Sequence, residues 1–320
     1  MVKYIIRKLI YLVVTLWIIL TVTFFLMSTL PGDPVQSGTK ILPPAVAENI
    51  KVKWGLDKPV GERYVIYLKN IVLHGDFGES YKTPGLTANA IIEQRFPASL
   101  RLGLQAVVLG LILGLVLGII AALRRNTWAD FITIFIAIVG VSVPSFVFAA
   151  LLQKGLGGDF FPIVGWADSS MSFGDSLRYT FLPTLSLAIG GIATYSRFMR
   201  SSVLDVMNND YILTAKAKGL SEGQIIRRHV FKNSITPIIT IVAPQIAGIV
   251  TGSFVIERIF SIPGLGRYFV DSVNGRDYPV IMATTFFFSF LFIASIVVVD
   301  ILYSLVDPRV RKGLVQGKKR

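Results

Sequence analysis

The 320-residue chain has no cysteine and only two histidines, His74 and His229. Disulfide bridges are excluded, and so is a metal centre built on thiolates or a histidine cluster. Charge is sparse: 16% of residues are Asp, Glu, Lys or Arg, against roughly 25% in ordinary soluble domains. No G-x-x-x-x-G-K-[ST] loop occurs, so nothing here is built to cradle the phosphates of ATP. Carboxylates are nearly missing from the long apolar runs. Asp300 is the one well inside a run, and such a residue is a proton-relay candidate by default. It has no ionisable partner in another run, which argues against a proton-coupled carrier acting alone.

What is present is mostly hydrocarbon: 53% hydrophobic residues and a mean hydropathy of +0.64. A bilayer-spanning helix needs about 20 apolar residues, and six stretches approach that length: Leu9 to Met27, Leu102 to Leu123, Phe131 to Leu152, Tyr179 to Tyr195, Ile235 to Ile256 and Val280 to Val306. The first follows Lys3, Arg7 and Lys8 as a secretory leader would. Its uncharged run is too long for that and no A-x-A site follows, so it reads as a retained anchor. The sequence predicts an all-α polytopic membrane protein.

The formal net charge of +13 gathers beside the apolar runs, which suits orientation in a membrane and not nucleic acid. Positive charge marks the amino terminus, Arg124 and Arg125, the connection from Arg197 to Lys232, and the tail from Arg309 to Arg320. These are then cytoplasmic, both termini included. The expected organisation is residues 1–29 as amino terminus and first span, 30–97 as an extracytoplasmic subdomain, 98–306 as a five-helix core with a loop at 205–234, and 307–320 as a basic tail. With about 70 residues, the outer subdomain has a marginal core of its own and should rest on outer helix ends.

Ala106, Gly110, Gly114, Gly118 and Ala122 recur every four residues, which puts them on one helix face where a second backbone can approach. This reads as a packing surface; a glycine-lined channel is the functional alternative, though such residues offer little to bind. Ser142, Pro144 and Ser145 interrupt one span, and Pro237, Pro244, Gln245 and Ser253 another. Such breaks occur where helices bend around an aqueous path, and equally as tolerated kinks. Ser142, Pro144, Gln245 and Ser253 are the path candidates.

The segment "DYILTAKAKGLSEGQIIRRHVFKN", Asp210 to Asn233, stays polar between apolar runs. Its "LSEGQ" looks like a transporter-ATPase signature, but local chemistry explains it better. Ser221 and Gln224 have capping-box spacing, Glu222 suits the start of a helix and Lys216 and Lys218 the end of one. Gly219 stands where a helix C-terminus needs a left-handed residue. The segment therefore reads as helix, tight turn, helix: a projecting knuckle. A disordered basic loop drawn to anionic lipid is the plainer alternative.

These features, with "MVKYIIRKLIYLVVTLWIILTVTFFLMSTLPGDP", "GLDKP", "GDFGES", "IIRRHVFKNSITPI" and "TGSFVIERIFSIPGLGRYFVDSVNGRDYPVIMATT", resemble the permease subunits of ATP-binding-cassette importers, specifically the dipeptide and oligopeptide group. The resemblance implies the type I importer permease fold with six spans, set in the cytoplasmic (inner) membrane of a prokaryote. It implies a second, homologous permease subunit, two cytoplasmic ATPases that bind ATP and Mg, and an extracytoplasmic peptide-binding protein. The chain itself would be no enzyme and hold no cofactor. In such importers a loop of pattern E-A-A-x-x-x-G docks into the ATPase. Leu213, Thr214 and Ala215 stand at E-A-A here, with Gly219 at the glycine, and Lys232 stands where many relatives have proline. The ATPase-contacting candidates that follow are Tyr211, Thr214, Ala215, Lys218, Gly219, Leu220 and Ser221. Nickel chelates, glutathione and oligosaccharides are alternative cargoes within the same group.

Overall fold

A computed structural model describes residues 2–29, 31, 44–167, 170–235, 238, 241, 242, 248 and 254–306, with side chains for all of these except 2, 3, 44–47 and 299–306. Pro237, Pro244, Gln245, Ser253, the Asp300 side chain and the 307–320 tail lie outside that set.

The fold is all-α. In chain order the helices are α1 (Val2–Thr29), α2 (Pro44–Lys53), α3 (Val60–His74), α4 (Ala88–Leu123), α5 (Trp128–Ser142), α6 (Ser145–Leu156), α7 (Phe173–Met207), α8 (Asp210–Ala217), α9 (Glu222–Ile225, running on through a π turn at Ile226–Val230), α10 (Phe254–Ile259), α11 (Leu265–Gly275) and α12 (Tyr278–Val306). They fall into two compact units, residues 1–99 with 263–320, and residues 100–262.

Among the described residues three helices are long and apolar enough to cross a bilayer: Tyr4–Thr29, Ala88–Leu123 and Tyr278–Val298. They coincide with the first, second and last of the expected stretches. The third stretch is not one straight helix. α5 and α6 meet at an angle of 111°, because Pro144 lacks an amide donor and holds Val143 in extended backbone. The fourth stretch lies within α7, which falls short in apolarity for a reason visible in its packing. Its buried positions include Thr180, Thr184, Ser186 and Ser196, and Ser186 and Ser196 hydroxyls bond back to the carbonyls of Leu182 and Ala193. A helix enclosed by other helices can carry hydroxyls that lipid would reject.

In the first unit, Leu12, Leu16, Leu20 and Phe24 form an every-fourth-residue stripe on α1. Leu12 and Leu16 pack on Val297 of α12, and Leu20 and Phe24 on Met282, so the two helices run antiparallel. The opposite face of α1 stays exposed, with Val13 at 63% and Ile10 at 55%, as a lipid-facing surface should. Tyr67 of α3 stacks on Phe24, and Tyr64 meets the same ring edge-on. The loop after α3 is tied to the start of α12 by Asp277, which is 3% exposed. It accepts hydrogen bonds from the Ser80 hydroxyl and, at 2.9 Å, from the Tyr81 amide. Tyr81 also stacks on Trp54 at 4.1 Å, and burial pushes its phenol up to about 12.

In the second unit α7 is the central post. Asp130, Thr133, Ala137 and Gly140 are the buried face of α5, and Gly140 lies so close to α7 that a Cβ there would stand 2.7 Å from that of Ala193. The glycine stripe of α4 meets the other side: a Cβ at Gly118 would stand 2.6 Å from the carbonyl oxygen of Ser196. The expected packing surface is real, and its partner is α7. Arg200 closes the α5–α7 contact with bonds of 2.6 and 2.8 Å to Asp130.

Candidate functional site

The polar segment after α7 folds as helix, turn, helix. α8 ends in a Schellman motif: the Gly219 amide donates to Lys216 O at 2.9 Å and the Leu220 amide to Ala215 O at 3.3 Å. This geometry needs a left-handed residue, and Gly219 has φ +79°. Two residues later Ser221 and Gln224 form the capping box that starts α9, with the Ser221 amide donating to Gln224 Oε1 at 3.0 Å. The turn is therefore set by two satisfied helix ends back to back.

An apolar plug fixes the knuckle to α7. Ile212 and Val230 are fully buried, and Ala215 and Ile225 nearly so, in one cluster with Met199, Val203 and Val206 of α7 and Ala122 of α4. The Ser202 hydroxyl donates to Ser234 O at 3.0 Å, tying the far end to the same helix. Across the knuckle, Asn233 Nδ2 donates to the Tyr211 hydroxyl at 3.2 Å, and the His229 ring lies 6.4 Å from that of Tyr211.

The predicted contact residues divide between the two faces. Tyr211, Thr214, Lys218, Gly219 and Ser221 are exposed. Ala215 is buried and Leu220 half-buried against the plug, so these two position the turn instead of presenting a surface. Ile212 and Ala215, three residues apart, share the inward face of α8. Two apolar side chains point outward that sequence reading passed over: Leu213, 63% exposed, and Phe231, 40%. Leu213 was legible as the residue opposite the Ile212–Ala215 face. Phe231 was not, because the π turn at Ile226–Val230 shifts the helical phase before it. The same segment exposes the cations Lys216, Lys218, Arg227, Arg228 and Lys232. Ser142 and Pro144 sit together at the α5–α6 bend, both exposed.

The segment at 210–235 thus sets exposed polar, cationic and apolar side chains on a buried apolar plug. The family of binding-protein-dependent transport system inner membrane components matches residues 114–312, more than half of the chain. The chain belongs to this family. Residues 1–103 match the N-terminal family of the same membrane components.

The permease is 44% identical over 315 residues to the dipeptide transport system permease protein DppB of Bacillus subtilis (strain 168), covering 97% of this chain and 98% of that protein. It is 43% identical over 313 residues to DppB of Lactococcus lactis subsp. cremoris (strain MG1363), covering 97% and 100%. It is 38% identical over 311 residues to the oligopeptide transport system permease protein OppB of Escherichia coli (strain K12), again covering 97% and 100%. The family's fold is that of type I ATP-binding-cassette importer permeases, membrane subunits and not enzymes.

Proposed function

We propose that this permease is one of two related membrane subunits of an ATP-driven importer, moving dipeptides or oligopeptides delivered by an extracytoplasmic binding protein. Two cytoplasmic ATPases bind ATP and Mg and grip the knuckle. The observation that carries the reading is the knuckle itself: two capped helix ends around Gly219, plugged into α7 by Ile212 and Val230 and presenting Tyr211, Leu213, Thr214, Lys218 and Phe231. A motion imposed on a stiff tip anchored in a core helix passes to that helix without being absorbed by a loop. Both termini and the knuckle are cytoplasmic in this reading. Ser142 and Pro144, at the α5–α6 bend, belong to the path wall; the other two path candidates, Gln245 and Ser253, lie outside the described residues. The relatives' names support peptide as the cargo.

Co-purification of the chain with its membrane and ATPase partners, followed by reconstitution, tests the reading. Peptide-loaded binding protein should stimulate ATP turnover, and Gly219→Val should uncouple turnover from uptake while membrane insertion stays intact. A Cβ at Gly219 meets nothing within 4 Å, so the defect comes from backbone strain of about 1–2 kcal/mol for a side chain forced left-handed. Undiminished uptake in that variant would sink the knuckle as the transmission element.

A further inference from the structure

Between α5 and α7 runs a groove of about 480 Å³. Its wall on α5 is Ile134, Ala137, Ile138 and Val141, with Thr133 at one end and Ser142 at the other; on α7 it is lined by Arg197, Arg200 and Ser201. Thr133 adds no polarity, because its hydroxyl is buried and donates to Ala129 O at 2.8 Å. Nine residues of helix separate Thr133 from Ser142, so the apolar wall is roughly 13 Å long at 1.5 Å per residue. Beside it, α5 exposes Phe131, Ile132 and Phe135 at 57%, 54% and 66%. An exposed apolar face of this kind suits contact with hydrocarbon.

The two guanidinium groups at the groove differ. Arg200 is neutralised by Asp130, whose carboxylate is 2% exposed and also accepts the Asn126 amide at 3.0 Å. Arg197 is exposed, and among the described residues no carboxylate lies within ion-pair distance of it; its guanidinium lies over the ring of the adjacent Phe198, 5.7 Å from the centroid. Asp130, at the α5 end of the groove, is saturated by Arg200 and Asn126. Ser201, one turn along α7 from Arg197, lies on the same helix face and is exposed. The antiparallel pairing of Asp130 with Arg200 and of Gly140 with Ala193 puts Arg197 one turn from Arg200, opposite the second turn of α5 and ten residues before the α7 end that leads to the knuckle.

We propose that this groove binds an anionic phospholipid, its phosphate held by Arg197 with Ser201 beside it and one acyl chain lying along Ile134, Ala137, Ile138 and Val141. A guanidinium offers a phosphate a two-pronged set of donors, and a basic site between helices at the membrane surface selects net-negative headgroups. The apolar wall carries no further polar group along its length, which is what an acyl chain requires and what a hydrated solute does not. The proposal rests on the proposed sidedness only in assigning the lipid to the cytoplasmic leaflet.

Native mass spectrometry of the full chain, purified with its accompanying subunits and exchanged into mixtures of phosphatidylglycerol and phosphatidylcholine, tests it. Wild type should retain phosphatidylglycerol preferentially. Arg197→Ala should reduce that preference about fivefold, the weight of one basic residue near a membrane surface, and Arg197→Lys should keep most of it. Ile138→Trp fills the groove from a position 60% exposed, leaves the cation in place and should release both lipids. Unchanged lipid retention in Ile138→Trp, or an unchanged preference in Arg197→Ala, overturns the proposal. So does displacement of bound phosphatidylglycerol by dialanine, which would place a solute carboxylate on Arg197. The measurement needs no ATP. Failure of an ATPase to co-purify would therefore strike the coupling reading and leave this one standing.

Discussion

The knuckle at 210–235 and the loop at 76–87 are both polar segments fastened to membrane helices, yet different forces hold them. The knuckle's turn is fixed by bonds between residues three to five apart: Gly219 to Lys216, Leu220 to Ala215, Ser221 to Gln224. Apolar burial against α7 then holds it in place. The 76–87 loop has its decisive bonds to Asp277, some 196 residues away in sequence, with an aromatic stack of Tyr81 on Trp54 in support. A locally capped element keeps its shape while its base moves, which suits a tip that is pushed. The 76–87 loop has local bonds as well, among them the Ser80 amide to Leu86 O at 2.9 Å, but its seat against α12 lasts only as long as the Asp277 contact.

The largest expected effect breaks the knuckle's plug. Ile212→Ala removes a fully buried side chain and should cost about 3 kcal/mol, the middle of the range for such truncations. Hydrogen exchange across 210–235 should rise strongly, with exchange at 76–87 unchanged. Equal loosening of both segments would show that they do not stand independently. The next effect runs the other way. Asp277→Ala orphans the Tyr81 amide and leaves the proton of the buried Ser80 hydroxyl without its acceptor; it should cost about 2 kcal/mol, raising exchange at 76–87 and leaving 210–235 protected.

The same contrast explains how much of the molecule was legible in the sequence. Caps are short-range chemistry, so Gly219, Ser221 and Gln224 could be read directly, as could the four-residue glycine stripe of α4. Three spans with lipid-facing sides announced themselves by hydropathy. α7 did not, because enclosure by α4 and α5 replaces lipid with protein and admits Thr184, Ser186 and Ser196. The 111° bend at Pro144 was marked as a break, but its angle depends on what α6 packs against. Arg200 was read as one more loop cation, whereas it belongs to Asp130, 70 positions away. Within the candidate site, motif position put Ala215 and Leu220 among the contacts; helix phase buries Ala215, and the turn after Gly219 leaves Leu220 half-buried against the plug.

Ser221→Ala is the smaller lesion that sharpens the comparison. It removes the hydroxyl half of the capping box and should cost about 1 kcal/mol, while the Schellman turn at Gly219 and the Ile212 plug remain. Melting of the purified chain should shift slightly, and ATP turnover should stay coupled to uptake. Full uncoupling by this change would mean that the Ser221 hydroxyl itself touches the ATPase, a role separate from its cap.

The smallest effect separates the two segments by pH. Glu79 accepts a hydrogen bond from the Gly85 amide and, at 3.3 Å, one from Lys53, and these, the amide first, hold its carboxyl below its ordinary value of 4.5. A carboxyl depressed in the folded state stabilises fully above its unfolded value, and that contribution fades as pH falls through the folded one. Exchange at Gly85 and its neighbours should therefore rise as pH drops below about 4.5, after correction for the intrinsic rate, and Glu79→Gln should remove the dependence. The knuckle's caps at Gly219, Ser221 and Gln224 carry no ionisable group, so protection at those amides should stay flat across the same window. A matching acid transition there would mean that the turn leans on a charged contact in addition to its caps.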